Sequence, residues 1–168
     1  VIRAIELGFT MYSLTEHLPY PPKMLDKLPY PKEWLDSIRI RGDDFDAYLR
    51  EMEKLKKKYR GRIQLLVGAE IDFLPEDLDY TRAMLKEYGP YLDDSLLSVH
   101  FLKGRGGWRC VDHSPADFRE GLLQYYNGYE QVQLAYYRAH KEALECDLGP
   151  YKPKRIAHFS LCNKFQCC

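Results

Sequence analysis

Four short apolar runs in this sequence lead into a side chain able to bind a metal ion. Phe9 to Leu14 leads into Thr15-Glu16-His17, and Ile63 to Gly68 leads into Ala69-Glu70. Leu96 to Val99 leads into His100, and Arg155-Ile156-Ala157 leads into His158. Neutral imidazole and carboxylate suit Zn, Fe or Mn, and one carboxylate can bridge two ions about 3.5–4 Å apart. A single histidine after a strand is more often a hydrogen-bonded structural residue. It is the recurrence at all four runs that points to a shared site. His113, in a loop, and His140, inside a helical pattern beside Lys141, lack this context. The first is expected to be structural or at the surface, the second on a solvated helix face.

The apolar runs alternate with helical patterns. Val1 to Leu7 reads as the last two turns of an amphipathic helix closed by Gly8. Phe45 to Tyr59 carries Phe45, Tyr48, Leu49, Met52 and Leu55 at helical spacing, with Lys56-Lys57-Lys58 at the end where the dipole favours cations. Asp77 to Tyr88 is a third helix, stopped by Gly89-Pro90. Ser114-Pro115 reads as an N-cap and first position opening a helix to about Tyr126, and Glu130 to Cys146 is the last helix. The order α-β-α-β-α-β-α-α-β predicts about four parallel strands joined by crossover helices in one α/β domain over residues 1–168. In such folds the C-terminal strand ends converge on the site, which would gather His17, Glu70, His100 and His158. The stretch 18–41 holds five prolines and the near-repeat Leu18-Pro19-Tyr20-Pro21, Leu28-Pro29-Tyr30-Pro31. It reads as an inserted loop, with Tyr20, Tyr30 and Trp34 as either a lid or ordinary surface packing.

These residues resemble the PHP (polymerase and histidinol phosphatase) superfamily, in its monofunctional histidinol-phosphatase branch. The similar segments are Ile5-Glu6-Leu7-Gly8-Phe9 with Leu14-Thr15-Glu16-His17-Leu18-Pro19, then Val67-Gly68-Ala69-Glu70-Ile71-Asp72-Phe73. Tyr88 to Asp93, Ser98-Val99-His100-Phe101-Leu102, and Ala157-His158-Phe159-Ser160-Leu161 with Lys164-Phe165 follow in order. The resemblance implies a distorted, TIM-like (β/α)₇ barrel, here incomplete. It also implies up to three divalent ions (Zn, Mn or Fe) and hydrolysis of L-histidinol phosphate in histidine biosynthesis. Glu70 would bridge two ions, His100 and His158 would hold one of them, His17 a third ion, and Glu16 would orient His17. Water acidified by the ions would attack phosphorus while the cations neutralise the phosphoryl oxygens. The family's opening H-x-H and closing D-x-H motifs do not occur in this sequence, and Ser160 stands at a usual Asp. The expectation is therefore a piece of a longer enzyme, holding fewer ions and turning over little alone.

Lys103, Arg105 and Arg109 follow His100 around Gly104-Arg105-Gly106-Gly107. They are candidates for phosphate binding, although the P-loop spacing is absent and a solvated loop is the plainer reading. Lys+Arg 25 balances Asp+Glu 25, which argues against a nucleic-acid binder, since phosphate-backbone binding needs a basic surplus. No apolar run reaches the roughly 18 residues of a membrane span. The five cysteines are odd in number with no C-x-x-C, which predicts reduced thiols in a cytoplasmic protein. The terminal Cys167-Cys168 fits no prenylation pattern. The partner expected is a small phosphorylated substrate. The competing readings are another phosphoesterase of the superfamily and an inactive remnant.

Overall fold

The computed structural model describes residues 1–166; Cys167 and Cys168 lie outside the described residues. After helix α1 (Ile2–Glu6), Gly8 at φ +81° turns the chain into strand β1 (Met11–His17). Two short helices follow, α2 (Pro22–Leu25) and α3 (Lys32–Ser37), then the long helix α4 (Phe45–Lys58) and strand β2 (Gln64–Asp72). Helix α5 (Leu78–Tyr88) leads to strand β3 (Asp94–Ser98). The three strands form one parallel sheet in the order β1-β2-β3. Parallel neighbours need a crossover between them, and α4 and α5 provide it.

Both faces of the central strand are used. Leu65, Val67, Ala69 and Ile71 alternate along β2 and are all buried. Ala69 and Ile71 join Phe45, Leu85, Leu97 and Val99 in the main core beneath the helices. The intervening residues Gly68, Glu70 and Asp72 therefore face the other way, because strand side chains alternate. Gly68 is required there by space: a Cβ would stand 2.7 Å from Thr15 Cγ2 and 2.9 Å from the Leu14 carbonyl oxygen. The Tyr48 hydroxyl, reaching in from α4, bonds both the Leu14 and Gly68 carbonyls at 2.7 and 2.8 Å and ties β1 to β2 at this point.

The fourth expected strand is reduced to a single parallel bridge, Leu97 to Ile156. Only three residues separate Lys154 from His158, and the ladder closes with two bonds, Leu97 N–H to Arg155 O and Ala157 N–H to Leu97 O. Among the described residues the sheet is thus three-stranded and does not close into a barrel. A second sheet is an antiparallel hairpin of β4 (Phe101–Gly104) and β5 (Gly107–Cys110). The glycine-rich stretch expected to be a loop is its turn, with Gly106 and Gly107 at positive φ, where glycine carries no Cβ penalty.

Helix α6 (Pro115–Asp117) begins at the expected cap, the Ser114 hydroxyl accepting from the Asp117 N–H at 3.1 Å. The chain then widens into a π-helical stretch, Phe118–Leu123, before α7 (Gln124–Tyr126), where one continuous α-helix was expected. The Gly121 carbonyl is drawn out of that ladder, accepting from Arg105 N–H at 2.9 Å. Helix α8 (Tyr129–Glu145) packs Val132, Tyr136 and Ala143 into the core. It also buries His140, contrary to the solvated position expected. His140 is only 2% exposed, its Nδ1 lies 3.1 Å from the Tyr136 carbonyl, and its ring packs on Tyr136 and Phe159. The helical period puts it one turn after Tyr136, on the core stripe, despite Lys141 beside it. Burial lowers its pKa, so the ring is neutral. No helix among the described residues is long and apolar enough to cross a membrane.

The proline-rich stretch, read as an inserted loop, carries the short helices α2 and α3. Tyr20, Met24, Leu28, Tyr30 and Leu35 form a second apolar cluster with Phe101, Trp108 and Cys110 of the hairpin. The Tyr30 hydroxyl donates to Asp117 Oδ2 at 2.7 Å and accepts from Cys110 N–H at 2.6 Å. Arg109 completes the link with a 2.7 Å bond to Asp117 Oδ1.

Candidate metal centre

The strand register assembles the centre. His17 on β1 lies beside Glu70 on β2, and Asp72 lies beside Ser98 on β3. Aligned residues of parallel neighbours share a face, so His17, Glu70, Asp72 and Ser98 project together from the face opposite the Ala69–Ile71 core. His100 follows Ser98 by two residues and returns to the same face, while Leu97 and Val99 stay in the core.

His17, Glu70 and His100 each bring one ligand-type atom within 4.8 Å of the others. Glu70 is at the middle. His17 Nε2 stands 3.9 Å from its Oε2, and His100 Nε2 stands 3.6 Å from its Oε1. His158, arriving from the Ile156 bridge, places Nε2 at 2.8 Å from Oε1. The Ser98 hydroxyl donates to the same oxygen. The structure thus brings together all four residues singled out at the ends of the apolar runs. Glu16 is not with them: alternation turns it to the opposite face of β1, where it is exposed.

The group that holds the imidazoles is Asp72. Its Oδ1 is 2.6 Å from His100 Nδ1 and its Oδ2 is 2.8 Å from His17 Nδ1. Burial alone would raise a carboxyl pKa. Here the two neighbouring imidazoles outweigh it and hold Asp72 far below the usual carboxylate range. Burial likewise opposes charge on the histidines, but the Asp72 carboxylate overcomes it, raising His17 and bringing His100 up to about 9. For Glu70, burial is outweighed by the bonds from His158 and Ser98, and its pKa is lowered. Asp72 carries a sequence signal, since it lies two residues after Glu70 in a strand and must share its face. Its partners depend on register, so its role was not assigned from sequence.

This donor set fits a divalent cation. With both Nδ1–H groups committed to Asp72, the neutral tautomer of each ring leaves its lone pair on Nε2, directed toward Glu70. Two imidazole nitrogens and a carboxylate, with a third imidazole adjacent, are borderline ligands suited to zinc, manganese or iron. Cys110 adds no thiolate. Burial drives its pKa well up, and as a thiol it donates to Asp112 Oδ1 at 3.1 Å.

The three basic candidates lie elsewhere. Lys103 pairs with Glu76 and stacks over Trp108 at 4.2 Å. Arg105 bonds Gln124, and Arg109 bonds Asp117. Among the described residues, Lys164 lines a cleft with His17 and His100 and bonds the Asp112 carbonyl and carboxylate at 3.0 and 3.3 Å. His113 lines the same cleft, its ring packed against both Tyr30 and Trp34.

The chain is similar to several known proteins. Over 162 residues the chain is 38% identical to a histidinol-phosphatase of Bacillus subtilis (strain 168), covering 96% of this chain and 58% of that one. A Schizosaccharomyces pombe protein assigned the same name is 29% identical over 163 residues, 94% of this chain and 48% of the other. The crystal structure of a Listeria monocytogenes protein assigned as a histidinol phosphatase superposes with a TM-score of 0.95 at 43% identity, over 99% of this chain and 61% of that one. The chain therefore spans roughly half to three fifths of the length of these relatives. The PHP domain family profile matches residues 1–166, and the chain belongs to the PHP domain family.

Proposed function

We propose that this domain is part of a metal-dependent phosphomonoesterase that hydrolyses L-histidinol phosphate to L-histidinol and phosphate, in histidine biosynthesis. The observation that carries the reading is the convergence of His17 Nε2, His100 Nε2 and Glu70, with Asp72 committed to both Nδ1 atoms. His17, Glu70, His100 and His158 would hold the divalent ions. When bound, such ions supply Lewis-acid stabilisation of phosphoryl oxygens and an acidified water. Around them, Asp72 fixes the tautomer and orientation of two rings, and Ser98 orients the Glu70 carboxylate. The substrate class follows from the names of the relatives. The 18–41 segment, anchored through Tyr30, would roof the cleft beside the histidines. The three strands and the Ile156 bridge would be one section of a (β/α)₇-type barrel. A cytoplasmic location accords with Cys110, Cys146 and Cys162 being free thiols.

The test is phosphate release from L-histidinol phosphate by an enzyme that carries this domain together with the family's H-x-H and D-x-H motifs, loaded with Zn²⁺, Mn²⁺ or Fe²⁺; residues 1–168 alone are expected to turn over little. Turnover abolished by chelator and by Glu70→Gln, which keeps the shape but removes the charge, is expected. Full activity in Glu70→Gln at saturating metal would overturn the assignment of Glu70, and failure of all three ions to support turnover would overturn the substrate.

A further inference from the structure

The imidazoles around Glu70 are not all held alike. His17 and His100 are each fixed through Nδ1 by Asp72. His158 has no such bond. Among the described residues its Nδ1 meets no hydrogen-bond partner, and its side chain is 35% exposed, so burial does not lock the ring either. The sheet also lets it go: the last ladder bond before it is Ala157 N–H to Leu97 O, at 3.0 Å. Yet its Nε2 stands 2.8 Å from Glu70 Oε1. Another element must set where this residue sits.

That support comes from one face of α8. Tyr129, Gln133, Tyr136 and His140 follow at helical spacing, which stacks them on one side of the helix. The Tyr129 hydroxyl and Gln133 Nε2 both donate to Asn163 Oδ1, at 2.8 and 3.1 Å. Phe159 packs on His140 and Tyr137, with ring centres 5.4 and 5.0 Å apart. The bond from Tyr136 falls on His158 itself: its hydroxyl donates to the His158 carbonyl at 3.3 Å. The Tyr136 ring is fully buried, with the His140 ring against it at 4.4 Å.

We propose that Tyr136 is the positioning residue of His158, doing through the backbone what Asp72 does through the rings of His17 and His100. A buried phenol on a packed helix pins the His158 carbonyl, and so fixes the point from which the imidazole reaches Glu70. The same carbonyl accepts from Leu161 N–H at 2.9 Å. Tyr136→Phe therefore keeps the ring packing and leaves no carbonyl unpaired. The inference deepens the metal-centre reading, and rests on it for the zinc measurement alone.

Two measurements test it, neither needing turnover. In ¹³C and ¹⁵N spectra of the metal-free protein, Tyr136→Phe should shift the ring resonances of His158 and leave those of His17 in place. Ser114→Ala, which removes a helix cap elsewhere, should move none of them. Unchanged His158 resonances in Tyr136→Phe overturn the proposal, whether or not the protein binds zinc. The second measurement is competition for Zn²⁺ with a chelating dye. Tyr136→Phe should weaken zinc affinity roughly tenfold, the lower end for loss of an orienting partner, and Ser114→Ala should leave it unchanged. In a His158→Ala background Tyr136→Phe should have no further effect, because its action passes through the ring already removed. An equal loss in that background would make Tyr136 a general support of the fold and overturn its role at His158. If the wild-type protein binds no zinc, the metal-centre reading falls and the ring resonances alone decide the positioning.

Discussion

Asp72→Asn isolates what the buried carboxylate does, because it keeps the volume and removes the charge. In the native protein both carboxylate oxygens accept, one from each imidazole, at 2.6 and 2.8 Å. An asparagine offers one acceptor oxygen and one NH₂ donor. One ring keeps its Nδ1–H bond to the amide oxygen. The other faces the NH₂ group, must accept at Nδ1, and so carries its proton on Nε2, the atom facing Glu70. That ring can no longer ligate without shedding the tautomer its neighbour imposes. Loss of an outer hydrogen bond of this kind typically weakens metal affinity about 10–100-fold, which is about 1.4–2.7 kcal/mol by the factor-of-ten relation. The assay is competition between the protein and a zinc-responsive chelating dye at pH 7.5, with ¹⁵N chemical shifts of the imidazoles reporting the tautomers. Wild type should show Nδ1–H on both rings, and the variant should show one ring inverted. A variant that binds zinc within twofold of wild type, with both rings still protonated at Nδ1, would refute the argument that Asp72 sets the ligands.

Three further outcomes follow from the same geometry. In the metal-free protein the folded-state pKa of His100 is raised to about 9 from 6.5. Its contribution to stability, at most about 3 kcal/mol from the 1.36 kcal/mol per unit relation, is fully present below pH 6.5 and lost as pH rises toward 9. Urea midpoints of the metal-free protein should fall over that window, while zinc binding near pH 7 should release protons detectable by calorimetry in buffers of different ionisation enthalpy. Gly68→Ala would press its Cβ to 2.9 Å from the Leu14 carbonyl oxygen; overpacking of this kind costs about 1–3 kcal/mol, so an unchanged urea midpoint would contradict the close approach of β1 and β2. Tyr30→Phe removes the acceptor of the Cys110 N–H and the donor to Asp117. Leaving a buried N–H unpaired costs about 1–3 kcal/mol, and hydrogen exchange should show the Cys110 amide losing protection before the β1–β2 amides do.

What could be read along the chain was local. Apolar runs of strand length, helical spacing with its caps, and the ligand-type residues just past each run all depend on neighbours within a few residues, and His17, Glu70, His100 and His158 were identified that way. The Ser114 cap and the Gly8 turn were legible for the same reason. The hairpin had a signal too, since Phe101-Leu102-Lys103 and Trp108-Arg109-Cys110 flank a glycine-rich turn, but the glycines read equally as a loop. Tertiary structure decided the remainder. Asp72 acts only because β1 and β3 bring His17 and His100 to it in register, from residues 55 and 28 positions away. His140 sits inside because α8 turns that stripe to the core, whereas its neighbour Lys141 suggested solvent. Lys164 rather than Lys103, Arg105 or Arg109 reaches the cleft because the latter three sit on the hairpin and are held by Glu76, Gln124 and Asp117 respectively. A residue's type and immediate spacing specify what it can bind. Which groups face one another across the sheet is set by strand register and crossover packing, interactions between segments far apart in sequence that no local pattern encodes.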